Sequence, residues 1–275
     1  MTSRLSSVIK RHPLITFFVV TYALTWGFLT LGIFLPARPL LAALIVISIS
    51  QGRAGLKELG SRMIRWRVGW LWFAVALGLP LGVHLVTMVL NIPFAGVPSL
   101  AFSSLTTFLV VFAVRLVNPL DGPLGEEPGW RGFALPGLQS TLSPLVSTLI
   151  LAVLINGWHL PLFFMEEGGL QPSFIVTAVL GTVAVTFWYT WLFDHTGGSV
   201  LMTLVMHATE GTIHPSELWS VGAASASAQA IYAVVWFAVA IGLVILDWKF
   251  WRGPAPTRAT APTVMPPREA SPVTP

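Results

Sequence analysis

The chain contains no cysteine, and only 9% of its 275 residues are Asp, Glu, Lys or Arg. The first absence excludes disulfide frameworks and thiolate chemistry. The second excludes an ordinary soluble domain, in which about a quarter of residues are charged. Two common hydrolase motifs are also missing: the His-Glu-x-x-His helix of zinc proteases and the Gly-x-Ser-x-Gly nucleophile elbow. What remains is apolar, with 55% hydrophobic residues and a mean hydropathy of +0.78. These values define a polytopic membrane protein. The net charge of +4 does not point to nucleic acid, because the basic residues stand between apolar runs, where they orient helices. Twelve Trp and seventeen Phe suit a lipid-facing or interfacial surface.

A helix needs about 20 apolar residues to cross a bilayer. The candidates are 14–35, 39–51, 68–91, 100–118, 143–165, 172–193, 198–213 and 226–250. The expected fold is therefore an all-α transmembrane helical bundle of about eight segments, forming one domain over 1–252. The basic N-terminus followed by a long apolar run reads as a retained first helix, not a cleaved signal. "PARP" (36–39) and "NIPFAGVPS" (91–99) are turn-like breaks. Residues 253–275, rich in Pro, Ala and Thr, have too little apolar surface to fold and read as a disordered tail. No internal repeat is visible, which disfavours a transporter.

The stretch 51–70 holds Arg53, Lys57, Arg62, Arg65 and Arg67, the mark of a cytoplasmic loop. Residues 54–66 within it suit an amphipathic surface helix. Arg4, Lys10 and Arg11 put the N-terminus on the same side, and Lys249, Arg252, Arg258 and Arg268 argue likewise for the C-terminus. Counting 126–141 as a further crossing gives an odd number and sends that tail outside.

Against this background "GPLGEEPGWRGF" (122–133) is conspicuous, with Glu126, Glu127 and Arg131 in one short window. Proline favours the first turn of a helix, so a helix is expected to start at Glu127–Pro128, with both acids at its positive end. Arg131 then lies one turn beyond Glu127 and can pair with it, leaving Glu126 available. His159 and His207 lie inside apolar segments, whereas His12, His84, His195 and His214 sit near segment ends or lack polar neighbours. Glu126 precedes the Leu142–Ser143 turn by about as many residues as His159 follows it, so antiparallel helices bring the two to one level. Ionisable groups at membrane depth are costly and usually functional. Glu and His together serve either a glutamate base that activates water or a metal-bound water, with zinc the natural ion. Both lead to amide hydrolysis. In the plainer reading, the charges are a solvated helix start and the histidines, Asn156, Trp130 and Trp158 are packing groups. Glu166 and Glu167 then belong to a solvated loop, and Asp194 and His195 end a helix.

The strings "EEPGWRGFALPGLQ", "WHLPLFF" and "SVLMTLVMH" resemble the CPBP family of intramembrane proteases, over about 45–250 of the chain. That family includes the type II CAAX prenyl endopeptidases and relatives implicated in bacteriocin self-immunity. The resemblance implies a multi-pass cell-membrane enzyme that acts on membrane-associated peptides or proteins. Glu126 would be the water-activating base, with Glu127 and Arg131 organising the site. His159 would assist the water, and His207 would stabilise the oxyanion. A cofactor is either not required or is zinc, held by Glu126, His159 and His207. Two positions depart from the family pattern: Ile155 stands where Phe is frequent, and Gly211 where Asn or Asp is usual. Asn156, Glu210 and Thr212 are the polar residues near that gap. The loss at Gly211 also fits an inactive relative serving as an immunity or scaffold protein.

Overall fold

A computed structural model describes residues 2–29, 35–98, 105–165, 171–212, 219 and 223–256. The tail beyond 256, His214, and the pair Glu166 and Glu167 lie outside the described residues. The described residues are helical with no strand. In order they form α1 (Thr2–Arg11), α2 (Pro13–Leu29), α3 (Arg38–Ser50), α4 (Gly52–Met63), α5 (Trp70–Ala95), α6 (Leu105–Val117) and α7 (Gly122–Gly129). A π-helical turn (Trp130–Ala134) leads into α8 (Leu135–Gln139). Then follow α9 (Pro144–His159), α10 (Leu162–Met165), α11 (Pro172–His195), α12 (Val200–Thr212), α13 (Ala223–Leu246) and α14 (Trp248–Arg252).

Four described helices are long and apolar enough to cross a bilayer: 70–95, 105–139 taken as one kinked unit, 172–195 and 226–246. Three shorter apolar helices, 13–28, 38–50 and 144–159, join them, and α12 accounts for the remaining predicted segment, 198–213. This is an all-α membrane bundle. The expected surface helix is α4, whose Glu58 and Arg62 pair at 2.8 Å one turn apart. That hydrogen bond holds the Glu58 carboxyl below its usual range.

Residues 105–139 form one unit, kinked at 118–121, that is long and apolar enough for a single traverse. Contacts then collect one set of helix ends together. The Arg65 guanidinium donates to the Gly197 carbonyl, and Ser199 Oγ donates to the Arg65 carbonyl at 2.7 Å. Gln139 Nε2 donates to Asp194 Oδ2 at 2.6 Å. His195 and Trp191 both reach Asp247, at 3.2 and 2.8 Å. Lys249 thus belongs to the same end as the basic loop, as the charge pattern of the tail region demands. Asp194 and His195 tie helices together as well as ending one.

Two apolar cores hold the bundle. One gathers Phe17, Val46, Trp130, Phe133, Leu151 and Trp158 from α2, α3, the π turn and α9. The other gathers Trp188, Leu192, Met206, Trp236 and Trp251 from α11 to α14. Trp130, Trp158, Trp236 and Trp251 are fully buried, so the tryptophans are not all lipid-facing. Trp66 and Trp70, beside the basic loop, are exposed, as interfacial aromatics should be.

Candidate functional site

Local chemistry sets the start of α7 earlier than Pro128. The Asp121 carboxylate accepts from the Gly122 N–H at 2.7 Å, and Pro123 occupies the first turn. A proline therefore does stand at the helix start, but it is Pro123. Pro128 lies inside the helix, where it has no N–H to give the ladder. Immediately afterwards the ladder slips to the π register, with the Leu135 N–H donating to the Trp130 carbonyl. Gly125 and Gly129, one turn apart, press against chain 36–39. A Cβ on Gly125 would lie 2.7 Å from the Pro36 carbonyl, and one on Gly129 2.6 Å from that of Pro39. The "PARP" break is thus the surface against which the acid-bearing helix seats, a small-residue packing common between membrane helices.

This seating buries both acids. Glu127 is fully buried, and its Oε1 accepts from Arg131 at 2.9 Å and from His207 Nδ1 at 2.9 Å. The expected Glu127–Arg131 pair is present. Its union with His207 was not legible, because α12 lies 80 residues further along the chain. Arg131 also stacks its guanidinium over Tyr189, 4.7 Å from the ring centre. Glu126 is nearly as buried and receives a long contact, 3.4 Å, from Trp130 Nε1. It is therefore free of an ion pair, as expected, but not free of a neighbour: Trp130, read as a packing aromatic, steadies it.

Nδ1 of each histidine has an acceptor beside it. His159 Nδ1 lies 3.0 Å from the Ile155 carbonyl, and its ring packs on Trp158. His207 Nδ1 faces the Glu127 carboxylate, which leaves Nε2 to the other side. Gly122 locates that atom. The place a Cβ would take there is 3.0 Å from His207 Nε2 and 3.2 Å from Glu126 Oε1. The acid and the imidazole therefore flank one small space that a glycine keeps open.

Glu126, Arg131, His159 and His207 line one cavity of about 510 Å³, with α11 and α13 as its far walls. Glu127 does not line it and stands behind His207. Asn156 also lines the cavity, while its Nδ2 donates to the Ala152 carbonyl of its own helix at 2.9 Å. Thr212 turns its hydroxyl back to the Ala208 carbonyl. Glu210 lines the cavity and accepts from the Tyr232 hydroxyl at 2.6 Å. His84, expected to lack polar company, is buried with its Nε2 2.9 Å from the Glu210 carbonyl and its ring stacked on Tyr232.

The gap at Gly211 has a physical reason. A Cβ there would lie 2.4 Å from an Arg115 nitrogen and 2.9 Å from its guanidinium carbon. Arg115 fills the volume an Asn or Asp would need, and it pairs with the capping residue Asp121 at 3.2 Å. As to metal, no three His, Asp or Glu side chains among the described residues gather around one point in this arrangement.

An all-helical membrane bundle with a carboxylate and two imidazoles lining one cavity defines the class: a membrane protein with a polar site among apolar helices. Residues 104–213 match the model of the Rce1-like type II CAAX prenyl endopeptidases. The chain is also 28% identical, over 176 residues, to CAAX prenyl protease 2 of Methanococcus maripaludis. That match covers 58% of this chain and 65% of the archaeal protein, just under two thirds of its length. Over these stretches the chain is similar to CAAX-protease-like membrane proteins.

Proposed function

We propose that the protein is an intramembrane endopeptidase that hydrolyses peptide bonds of membrane-associated substrates. The observation that carries this reading is the space at Gly122, bounded by Glu126 Oε1 and His207 Nε2. A water there can give a proton to Glu126 while its oxygen attacks the scissile carbonyl carbon. The carbonyl oxygen becomes an oxyanion, and doubly protonated His207 donates to it from Nε2, its Nδ1–H held by Glu127. His159, on the wall of the same cavity, assists from further off, shaping the polar surroundings of the water. Glu126 then passes its proton to the leaving nitrogen, the C–N bond breaks, and a carboxylic acid and an amine depart, the acid's proton passing to the amine to leave a carboxylate and an ammonium. Glu127 and Arg131 hold His207 and take no proton in this scheme.

No step is routed through a metal, because the donors are arranged as a carboxylate–imidazole pair, not as a three-ligand cluster. The membrane location follows from the apolar helices, and multi-pass insertion in the cell membrane belongs to this proposal. Purified protein in detergent, assayed on a fluorogenic peptide panel, tests the reading. Cleavage should vanish with Glu126→Ala, fall strongly with His159→Ala and His207→Ala, and persist with chelator. Activity untouched by Glu126→Ala overturns the mechanism. Loss on chelation with recovery on zinc turns it into a metal one. A folded protein that cleaves nothing favours the immunity or scaffold role.

A further inference from the structure

Glu210 is not part of the motifs that carry the family resemblance, and the hydrolytic scheme does not use it. Its carboxylate is nonetheless held in place on the cavity wall. The Tyr232 hydroxyl donates to it at 2.6 Å. Tyr232 stacks on His84 with ring centres 5.1 Å apart and 8° between planes, and His84 Nε2 closes the loop 2.9 Å from the Glu210 carbonyl. Three elements, α5, α12 and α13, thus fix one carboxylate. Apart from the proposed base Glu126, the other acids of the described residues have a cationic or amide partner: Glu58 with Arg62, Asp121 with Arg115, Glu127 with Arg131, Asp194 with Gln139, Asp247 with His195. For Glu210 no basic side chain of the described residues comes within ion-pair distance.

We propose that Glu210 is the anionic wall of a specificity subsite that takes a positively charged side chain, lysine or arginine, of the peptide substrate. This rests on the hydrolytic reading and adds the substrate's charge to it. A carboxylate at membrane depth is costly without a counter-charge, and a charge-assisted hydrogen bond to a cation supplies one. The position also sets the register. Glu210 follows His207 by three residues, so both project to one face of α12, about 4.5 Å apart along its axis. An extended peptide advances about 3.3 Å per residue. The basic residue therefore falls one or two positions from the bond that is cut.

The test uses two labelled peptides that differ only in lysine against norleucine at that position. Binding is measured by fluorescence anisotropy in detergent to the Glu126→Gln protein, which removes the other cavity-facing carboxylate and prevents turnover. The lysine peptide should bind about tenfold tighter. Adding Glu210→Gln, which keeps the Tyr232 contact, should abolish the difference, and Glu210→Lys should shift the preference to a glutamate peptide. Tyr232→Phe should weaken lysine selectivity several-fold with the fold intact. Equal binding of the two peptides, or a lysine preference that survives Glu210→Gln, overturns the subsite. Charge-selective binding together with absent cleavage by the unmodified protein would leave the subsite standing and overturn the protease reading instead.

Discussion

Gly122→Ala separates chemistry from folding at one atom. Glycine lies at the first position of α7, where alanine is the better helix former by up to about 1 kcal/mol. Propensity alone therefore predicts equal or higher stability. The added methyl, however, would stand 3.0 Å from His207 Nε2 and 3.2 Å from Glu126 Oε1, against about 3.5–4.0 Å for an unstrained contact. Something must move by about half an ångström. His207 is pinned by its 2.9 Å bond to Glu127, whereas Glu126 has only the long Trp130 contact. The carboxylate yields, and the methyl takes the volume the attacking water needs. With its place filled the water is misplaced by about 1 Å, which costs about 100-fold. The expected result is a kcat about 100-fold lower, with an unfolding midpoint in detergent equal to that of the parent or slightly above it. A kcat within threefold of the parent would refute the placement of the water. So would a large fall in the midpoint that accounted for the lost activity.

The two adjacent acids should respond in opposite ways. Glu126→Gln should abolish cleavage with little change in stability, while Glu127→Ala strands the buried Arg131 and should cost about 3–5 kcal/mol, measured as a lower unfolding midpoint. Gly211→Ala pushes on the flexible end of Arg115 and should displace it from Asp121, costing about 1 kcal/mol or less. Arg115→Ala in the same background should recover part of that loss. Because the chain has no cysteine, single cysteines report topology without a background. Cysteines replacing Lys57 and Lys249 should react with an impermeant maleimide from one side of sealed vesicles, and one replacing Ser173 from the other. Labelling of Lys57Cys and Lys249Cys from opposite sides would refute the even number of traverses.

The sequence made the apolar helices legible because a bilayer-length run of hydrophobic residues admits few readings. The predicted 39–51, 172–193 and 198–213 fall within two or three residues of α3, α11 and α12. Charge at the helix ends was also informative, since the start of the tail does share an end with the basic loop; counting 126–141 as a crossing of its own was what opposed it. Within the site, the Glu127–Arg131 pair was readable from its spacing alone. Pro128 misled, since the rule for prolines at helix starts was satisfied five residues earlier by Pro123 behind the Asp121 cap. The sequence "DGP" carried that signal. What spacing could not show were partnerships between helices distant in the chain: Glu127 with His207, His84 with Glu210, Arg115 with Gly211. Each depends on how the rods rotate about their axes, which neighbouring backbone decides and local propensity does not.

The short helix bearing the acids hangs between two breaks, the kink at 118–121 and the π turn at 130–134. A rod suspended in this way can swivel without unwinding the segments above and below it. The aim of its carboxylates is then set by what grips it: the 36–39 backbone on its glycine side and the clasp to α12 on the other. Alterations in the first hairpin, remote from any reacting atom, would steer the acid like a hand on a rudder.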